Sequence, residues 1–480
     1  MTNDVPTNHG IFDSSTRSGH ARPVAPGYRL ARDLAAAFMA LLLVQTASAG
    51  IPIQHWAQTS GVQVYLAESH SIPMVDLQMD FDAGSRRDPG DKAGLASVTA
   101  GMTSKGVLAS KRSGADESAL DENGLSEAWV DLGASFGASA GSDRMSFSLR
   151  SLTYPDLLSK AVQLAARQLG EPAFPSAVWL RERERLNAAL KESATRPATV
   201  AGRAFAAAVY GTHPYGFEMN EASLSHIDVA DMKALYASLI TPCRAKVSIV
   251  GAVTRVQADD MVRQLFSRLA ASGPVVACSP LPAIPEVAAL AGPLEKYIAF
   301  DSAQAHLLLG QPGYKRNDPD FFALTVGNYV LGGGGFVSRL TSEVREKRGL
   351  SYSVYSYFSP GLHAGAFTIG LQTRPDQAKQ ALTVSREVLA RFVQDGPTQA
   401  ELDAAKSNLV GGFPLLIDSN RKLLGNVANI AWNNLALDYL DTWTQQVEKV
   451  TVADVRGAFA RKLQPDRMVT VVVGGTDGAN

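Results

Sequence analysis

Cysteine is scarce in this chain, with only Cys243 and Cys278 among 480 residues. No Cys-x-x-Cys pair and no cluster of cysteine with histidine occurs, which excludes a zinc ribbon and a thioredoxin-like redox motif. The two residues are compatible with a disulfide in an oxidising compartment and equally with two unpaired, buried thiols. The sequence leaves these two alternatives open.

An excess of charge of either sign is also missing, since 45 lysines and arginines face 46 aspartates and glutamates, for a net charge of −1. Binding to nucleic acid or to an anionic membrane surface usually requires a basic region, so neither partner is expected. The proportions of 46% hydrophobic and 19% charged residues are typical of a globular protein. The length predicts two to four domains.

Histidines at the spacing of a zinc-binding helix are missing as well. No two of them are four residues apart, and neither His-x-x-Glu-His nor its reverse occurs. The eight histidines are His9, His20, His55, His70, His213, His226, His306 and His363. A zinc site built on one helix is therefore not predicted for this chain.

Only the N-terminal region suggests a targeting segment. Residues 1–28 are polar and aperiodic, and Arg29 and Arg32 then precede a short apolar run at 34–44 and the sequence Ala47-Ser48-Ala49. A basic flank, an apolar core and a small-x-small site predict a signal peptide, cleaved after Ala49, and export to the periplasm. The run is too short to span a bilayer comfortably, so we expect no stable membrane anchor; a retained N-terminal anchor is the alternative.

An internal repeat divides the remainder into two homologous halves. Residues 229–251 align without gaps to residues 452–474, and both copies read as a helix, a turn and a buried strand. We expect a first half at 50–271, a Pro/Ala-rich linker at 272–294 and a second half at 295–480.

Periodicity predicts several elements within the halves. In the first half, alternation predicts a strand at 75–81, and helices are expected at 94–102 and 155–169. In the second half, helices are expected at 321–331 and 377–393, and the run from 398 to 431 should be helical and cover the sheet.

The segment from 331 to 358, LGGGGFVSRLTSEVREKRGLSYSVYSYF, is the most informative. Phe336, Leu340 and Val344 recur every four residues, which predicts one face of a helix. Gly349 should end this helix, and a strand should begin near Tyr352. The four glycines lack the Lys-Ser/Thr of a phosphate-binding loop, so nucleotide binding is not favoured.

This segment closely resembles the C-terminal half of the pitrilysin/insulinase family of zinc peptidases. In that family an arginine and a tyrosine seven residues apart hold the substrate and hydrogen-bond its carbonyl group. The resemblance implies these roles for Arg345 and Tyr352.

The zinc motif of the family is degenerate in this chain. The segment GLASVTAGM at 94–102 resembles the family helix that carries two histidines and a catalytic glutamate, but Ser97, Gly101 and Ala100 occupy those positions. None of the three side chains is a suitable zinc ligand or general base. Glu182, Glu184 and Glu192 lie in the region of the distal glutamate ligand but do not match its spacing, and a charged helix surface is the better interpretation.

The resemblance implies an α+β fold in which each half has an antiparallel-rich sheet with helices on one face. The two halves would form a clamshell around a peptide-sized chamber. In part of the family one chain carries zinc and a second chain supplies the arginine and tyrosine. We therefore expect the non-catalytic, substrate-binding subunit of a heterodimeric peptidase, with no metal of its own, zinc in a homologous partner subunit, and peptides as substrates.

Two other functions remain as alternatives. A catalytically inert peptide-binding or scaffold protein of the same fold is the runner-up. An independently active hydrolase is less favoured, because the sequence shows no convincing Ser/His/Asp or Cys/His set.

Overall fold

The computed structural model describes residues 50–112, 115–269 and 278–475. The predicted leader lies outside these ranges, so the expected cleavage site is not covered. None of the helices within the ranges combines the length and the hydrophobicity that a membrane crossing requires.

The first half is built on a six-stranded mixed sheet, two small two-stranded sheets and helices. Its strands are β1 (Ile53–Ala57), β2 (Gln63–Glu68), β3 (Met74–Phe81), β4 (Gly106–Val107), β5 (Ser110–Arg112), β6 (Ala115–Glu117), β7 (Leu120–Asp121), β8 (Ser135–Ala140), β9 (Met145–Leu152) and β10 (Lys246–Gly251). Its helices are α1 (Leu95–Met102), α2 (Glu122–Asp131), α3 (Pro155–Gly170), α4 (Ser176–Ser193), α5 (Pro197–Tyr210), α6 (Glu221–His226), α7 (Val229–Leu239) and α8 (Arg255–Leu265).

The second half repeats this pattern with fewer strands. Its strands are β11 (Leu294–Ile298), β12 (Ala305–Pro312), β13 (Val354–Phe358), β14 (Ala366–Thr373) and β15 (Val469–Val473). Its helices are α9 (Phe321–Asn328), α10 (Ala378–Asp395), α11 (Gln399–Gly412), α12 (Asn420–Asn433), α13 (Tyr439–Lys449) and α14 (Val452–Lys462).

Strand order confirms the α+β class and the two related halves. The first sheet has six strands in the order β1-β2-β10-β3-β9-β8, and the second has five in the order β11-β15-β12-β14-β13. All pairs are antiparallel except β2 with β10 and β11 with β15. Each half buries its own core, the first around Phe81 and Phe147 and the second around Phe367 and Phe459.

The sequence repeat corresponds to equivalent elements. In each copy a helix, α7 or α14, leads through a 3-10 turn into a buried strand, β10 or β15. Both helices begin with a capping box, formed by Asp228 with Asp231 and by Thr451 with Asp454. The repeated Val-Ala-Asp is therefore a repeated helix start, with the aspartate as the reciprocal capping residue.

Each half also contributes one helix that packs on the sheet of the other half, which the sequence did not reveal. We call these two helices, α5 and α12, the exchanged helices. Helix α5 of the first half packs on β12 and β15, with Phe205 against Val471 in one apolar cluster. Helix α12 of the second half packs on β10 and β3, and Val427 lies in one cluster with Tyr65. Each sheet thus carries a helix from the opposite half in addition to its own helices, and the described residues from 51 to 475 form one compact unit.

The structure corrects one expectation, on the run from 398 to 431, and decides one open alternative, on the two cysteines. The run from 398 to 431 is broken by a 3-10 turn at Phe413–Leu416, because Pro414 cannot continue the helix. Cys243 and Cys278 form a disulfide, which decides between the two alternatives left open. The described part of the linker after Cys278 contains no helix or strand before β11.

Candidate functional site

The glycine-rich turn after α9 lies against the edge strand β13. A Cβ atom at Gly332 would lie 2.5 Å from the backbone nitrogen of Ser356, so only glycine allows this approach. Asn328 donates to the carbonyl oxygen of Ser356 at 3.0 Å and accepts from its hydroxyl at 2.7 Å. The turn is therefore fixed to the strand that follows the candidate site.

Arg339 anchors the next part of this segment to α11. Its guanidinium donates two hydrogen bonds of 2.7 Å to Glu401, a third of 3.0 Å to the carbonyl oxygen of Gly396, and lies 5.1 Å from the ring of Phe392. The hydrogen bonds from Arg339 lower the pKa of Glu401 to about 2. The contacts of this arginine are structural, and no sequence pattern indicates this role.

Arg345 is placed by a π-helical turn at Thr341–Glu346. Its guanidinium carbon lies 4.7 Å from the ring centroid of Phe336. Glu343 is occupied by Lys347 and Arg348, each at 2.7 Å. Within the described ranges Arg345 has no ion pair, so its donors are available to another molecule.

The predicted helical face is wrong at Phe336. Leu340 and Val344 are buried as expected, but the Phe336 side chain is 68% exposed. Residues 335–337 form a 3-10 turn, and the following turn is π-helical, so the spacing of four residues does not keep one face. The exposed ring instead supports the Arg345 guanidinium, a contact of the cation–π type.

Tyr352 lies just beyond the turn that ends this segment. The turn closes with a hydrogen bond of 2.8 Å from the Gly349 N–H to the Arg345 carbonyl, and Gly349 has a φ of +62°. The Tyr352 side chain is 86% exposed, and its hydroxyl has no hydrogen-bond partner within the described residues. The strand β13 begins two residues later, at Val354. Arg345 and Tyr352 therefore lie on either side of one fixed turn.

The degenerate zinc positions lie on α1 of the first half. Buried Asp88 accepts the N–H groups of Gly94 and Ala96, both at 2.9 Å, and fixes the start of this helix. Ser97 and Gly101 are exposed one turn apart, whereas Ala100 is buried. The residues that the structure describes include no group of three or more His, Cys, Asp or Glu able to hold a metal ion. These positions do not fit a zinc ion.

Two of the three glutamates of α4, Glu182 and Glu192, belong to ion pairs. Lys105 contacts Glu122 and lies 3.3 Å from Glu182. Burial alone would raise the pKa of Glu182, but the hydrogen bond from Arg185 and the charge of Lys105 lower it below its ordinary value. Glu182 is thus a paired structural carboxylate.

Comparison with known proteins yields a family model and similar solved structures. A family model described as the peptidase M16 inactive domain matches residues 226–409. The crystal structure of a peptidase M16 inactive domain from Pseudomonas fluorescens is 34% identical, with a TM-score of 0.80, and the match covers 89% of this chain and 99% of that one.

Two curated relatives match over shorter stretches. An uncharacterized zinc protease of Streptomyces coelicolor is 33% identical over 47% of this chain and 50% of its own length. A non-peptidase homolog of Helicobacter pylori is 34% identical over 34% of this chain and 37% of its own length. The chain thus spans about half or less of the length of these curated relatives.

Proposed function

This chain belongs to the M16, or pitrilysin, family of peptidases, and on that premise we propose that it is the non-catalytic, substrate-binding subunit of a heterodimeric zinc peptidase. Arg345 and Tyr352 would complete the active site of a homologous, zinc-bearing subunit that cleaves peptides. The observation that carries the proposal is the pair on either side of one turn: an 86% exposed tyrosine, and a half-buried arginine whose guanidinium lies against an aromatic ring and makes no ion pair within the described residues. The first half of the same chain offers no zinc ligands at the family positions.

The chemistry of amide hydrolysis explains what such a pair can contribute. As water adds to the scissile carbonyl carbon, negative charge develops on the carbonyl oxygen. A hydrogen-bond donor aimed at that oxygen stabilises the transition state more than the substrate and therefore raises kcat. The Tyr352 hydroxyl has the required unoccupied donor, and the Arg345 guanidinium can hold a second substrate carbonyl before the reaction begins.

A catalytically inert peptide-binding or scaffold protein is the second candidate. The names of two relatives favour it, since one solved structure is called an inactive domain and one curated relative a non-peptidase homolog. The lost zinc positions are equally compatible with this function. The two candidates differ in whether Arg345 and Tyr352 change the rate of a reaction.

We also propose that the mature protein is periplasmic. The basic and apolar pattern before Ala49 is that of an export signal. The disulfide between Cys243 and Cys278 supports an oxidising compartment, because such bonds are rare in the cytosol.

The decisive experiment is steady-state cleavage of a fluorogenic peptide by this chain reconstituted with a homologous chain that carries His-x-x-Glu-His. Tyr352→Phe removes one transition-state donor and should lower kcat about a hundredfold, with a smaller effect on KM. Arg345→Ala should act more on KM, because the guanidinium also binds the substrate before reaction.

Matched controls separate these effects from general damage. Tyr154→Phe alters another exposed tyrosine, and Arg374→Ala removes another surface arginine, whose partner is Asp376. Both controls should leave kcat and KM unchanged. If Tyr352→Phe and Arg345→Ala also leave them unchanged while the complex still forms, the scaffold function replaces the proposal.

A further inference from the structure

The sequence His213-Pro214-Tyr215-Gly216 forms a partly buried contact between the two halves. The Tyr215 hydroxyl donates to Asp143 at 2.5 Å and accepts the N–H of His363 at 3.2 Å. The second oxygen of Asp143 accepts the N–H of Leu362 at 2.9 Å. Two residues of the first half therefore hold the loop between β13 and β14 of the second half by its backbone.

We call this contact of Tyr215 and Asp143 with the loop the clamp. His213 fixes its conformation. Its side chain is 6% exposed, and its Nδ1 atom accepts the N–H of Tyr215 at 3.1 Å, which caps the 3-10 turn at Pro214–Gly216. An imidazole nitrogen that accepts a hydrogen bond carries no proton. Protonation of Nδ1 would turn this acceptor into a donor that faces the Tyr215 N–H. The hydrogen bond that caps the 3-10 turn would then be lost.

The groups around His213 come from both halves and from the linker. The rings of Tyr215 and His363 lie 4.8 and 5.1 Å from its ring, and Tyr210 lies at 6.4 Å. Burial and His363 lower the pKa of His213, the Pro285 carbonyl and Glu286 oppose this shift, and Arg86 adds to it. Arg86 is paired with Asp143 at 3.1 Å.

The linker meets the clamp at Glu286. One carboxylate oxygen of Glu286 lies 3.2 Å from Nδ1 of His363, and the other accepts from Lys315 at 2.6 Å. For a proton on His213, the negative charge of Glu286 is favourable and the neighbouring His363 is unfavourable. Because its Nδ1 must accept the Tyr215 N–H, His213 is the imidazole that must remain neutral for the clamp to persist.

We propose that His213 is a proton-sensitive clamp, whose protonation in mildly acidic solution releases the loop at 359–365 of the second half from Tyr215 and Asp143. A histidine whose pKa is lower when folded than its ordinary value of 6.5 stabilises the fold above that pH. This contribution is lost as the pH falls from 6.5 through the folded pKa. The two halves would then loosen at this loop while their exchanged helices stay packed.

Hydrogen exchange of the intact chain tests the clamp directly, because the amides of Leu362 and His363 are its hydrogen-bond donors. After correction for the intrinsic exchange rate, peptides covering 359–366 should lose protection several-fold between pH 7.5 and pH 5.0. His213→Asn keeps an acceptor for the Tyr215 N–H but cannot be protonated, so its protection should not depend on pH. His70→Asn removes an exposed histidine and should retain the pH dependence of the wild type.

Two outcomes would overturn the proposal. One is wild-type protection of these amides that is equal at both pH values, a measurement that does not depend on how any variant folds. The other is a loss of protection at pH 5.0 in His213→Asn as large as in the wild type.

Discussion

Two arginines six residues apart in one segment have opposite roles. Arg339 is hydrogen-bonded to Glu401 and Gly396. Arg345, by contrast, lies against the Phe336 ring and pairs with no carboxylate within the described chain. Arg339 thus fixes the backbone of the segment that carries Arg345. The stability of the candidate site should therefore depend on the Arg339–Glu401 pair.

Glu401→Gln tests that dependence at the scale of one residue. Glutamine can keep the capping contact with Thr398, but it loses the charge that Arg339 pairs with. We expect a loss of about 1 kcal/mol at pH 7, since the pair is partly exposed to solvent. Because the pKa of Glu401 is lowered from 4.5 to about 2, the wild-type advantage should be complete above pH 4.5 and disappear as the pH falls towards 2.

Urea unfolding of both proteins between pH 2 and pH 7 measures this difference. Glu387→Gln on α10 is the control, since the Glu387 carboxylate makes no ion pair within the described residues. A constant difference between Glu401→Gln and the wild type across the whole range would contradict the assignment.

At the scale of one element, helix α1 retains the geometry of a metal-binding helix without its ligands. Ser97 and Gly101 are exposed and four residues apart, and a Cβ atom at Gly101 would meet nothing within 4 Å. Ser97→His with Gly101→His should therefore create a histidine pair on one face. Zinc at about 100 times its Kd should stabilise this double variant by roughly 2.7 kcal/mol.

Thermal unfolding with and without zinc provides the measurement. Neither the wild type nor Ser97→His alone should respond, because one histidine is not a chelating site. A zinc-dependent shift in the unfolding temperature of the wild type would show that the chain does have a metal site, contrary to the interpretation of residues 97, 100 and 101.

Ala100→Glu, by contrast, should lower the unfolding temperature of the protein, since Ala100 is only 1% exposed and a carboxylate there would be buried.

Local patterns predicted the type and position of several elements, and the failures have physical causes. The expected strand at 75–81 and the helix at 155–169 agree with β3 and α3 within one residue. Phe336 was misplaced because periodicity assumes a regular α-helix, and neither a 3-10 nor a π-helical turn keeps that period. The exposed pair of Arg345 and Tyr352 came from the family pattern, whereas the support from Phe336 and Arg339 depends on tertiary contacts.

At the scale of the whole molecule, the exchange of α5 and α12 makes each half depend on the other. Phe205→Ala should destabilise the protein by about 3–5 kcal/mol, because the ring is buried. The loss of hydrogen-exchange protection should be greatest in β12 and β15, which belong to the other half. Ala207→Gly, at an exposed position of the same helix, should cost about 1 kcal/mol without this pattern. Loss confined to the first sheet would contradict the exchanged packing.

The exchanged helices also set an order of events during biogenesis. A chain that appears N-terminus first completes the strands of the first sheet, with Tyr65 and Val250 in place, long before α12 is available to cover them. Until then an apolar sheet face stays exposed to other chains, a state prone to aggregation. The newly made protein should need a chaperone that shields this face. A fragment truncated before residue 420 lacks α12, so it should stay bound to that chaperone.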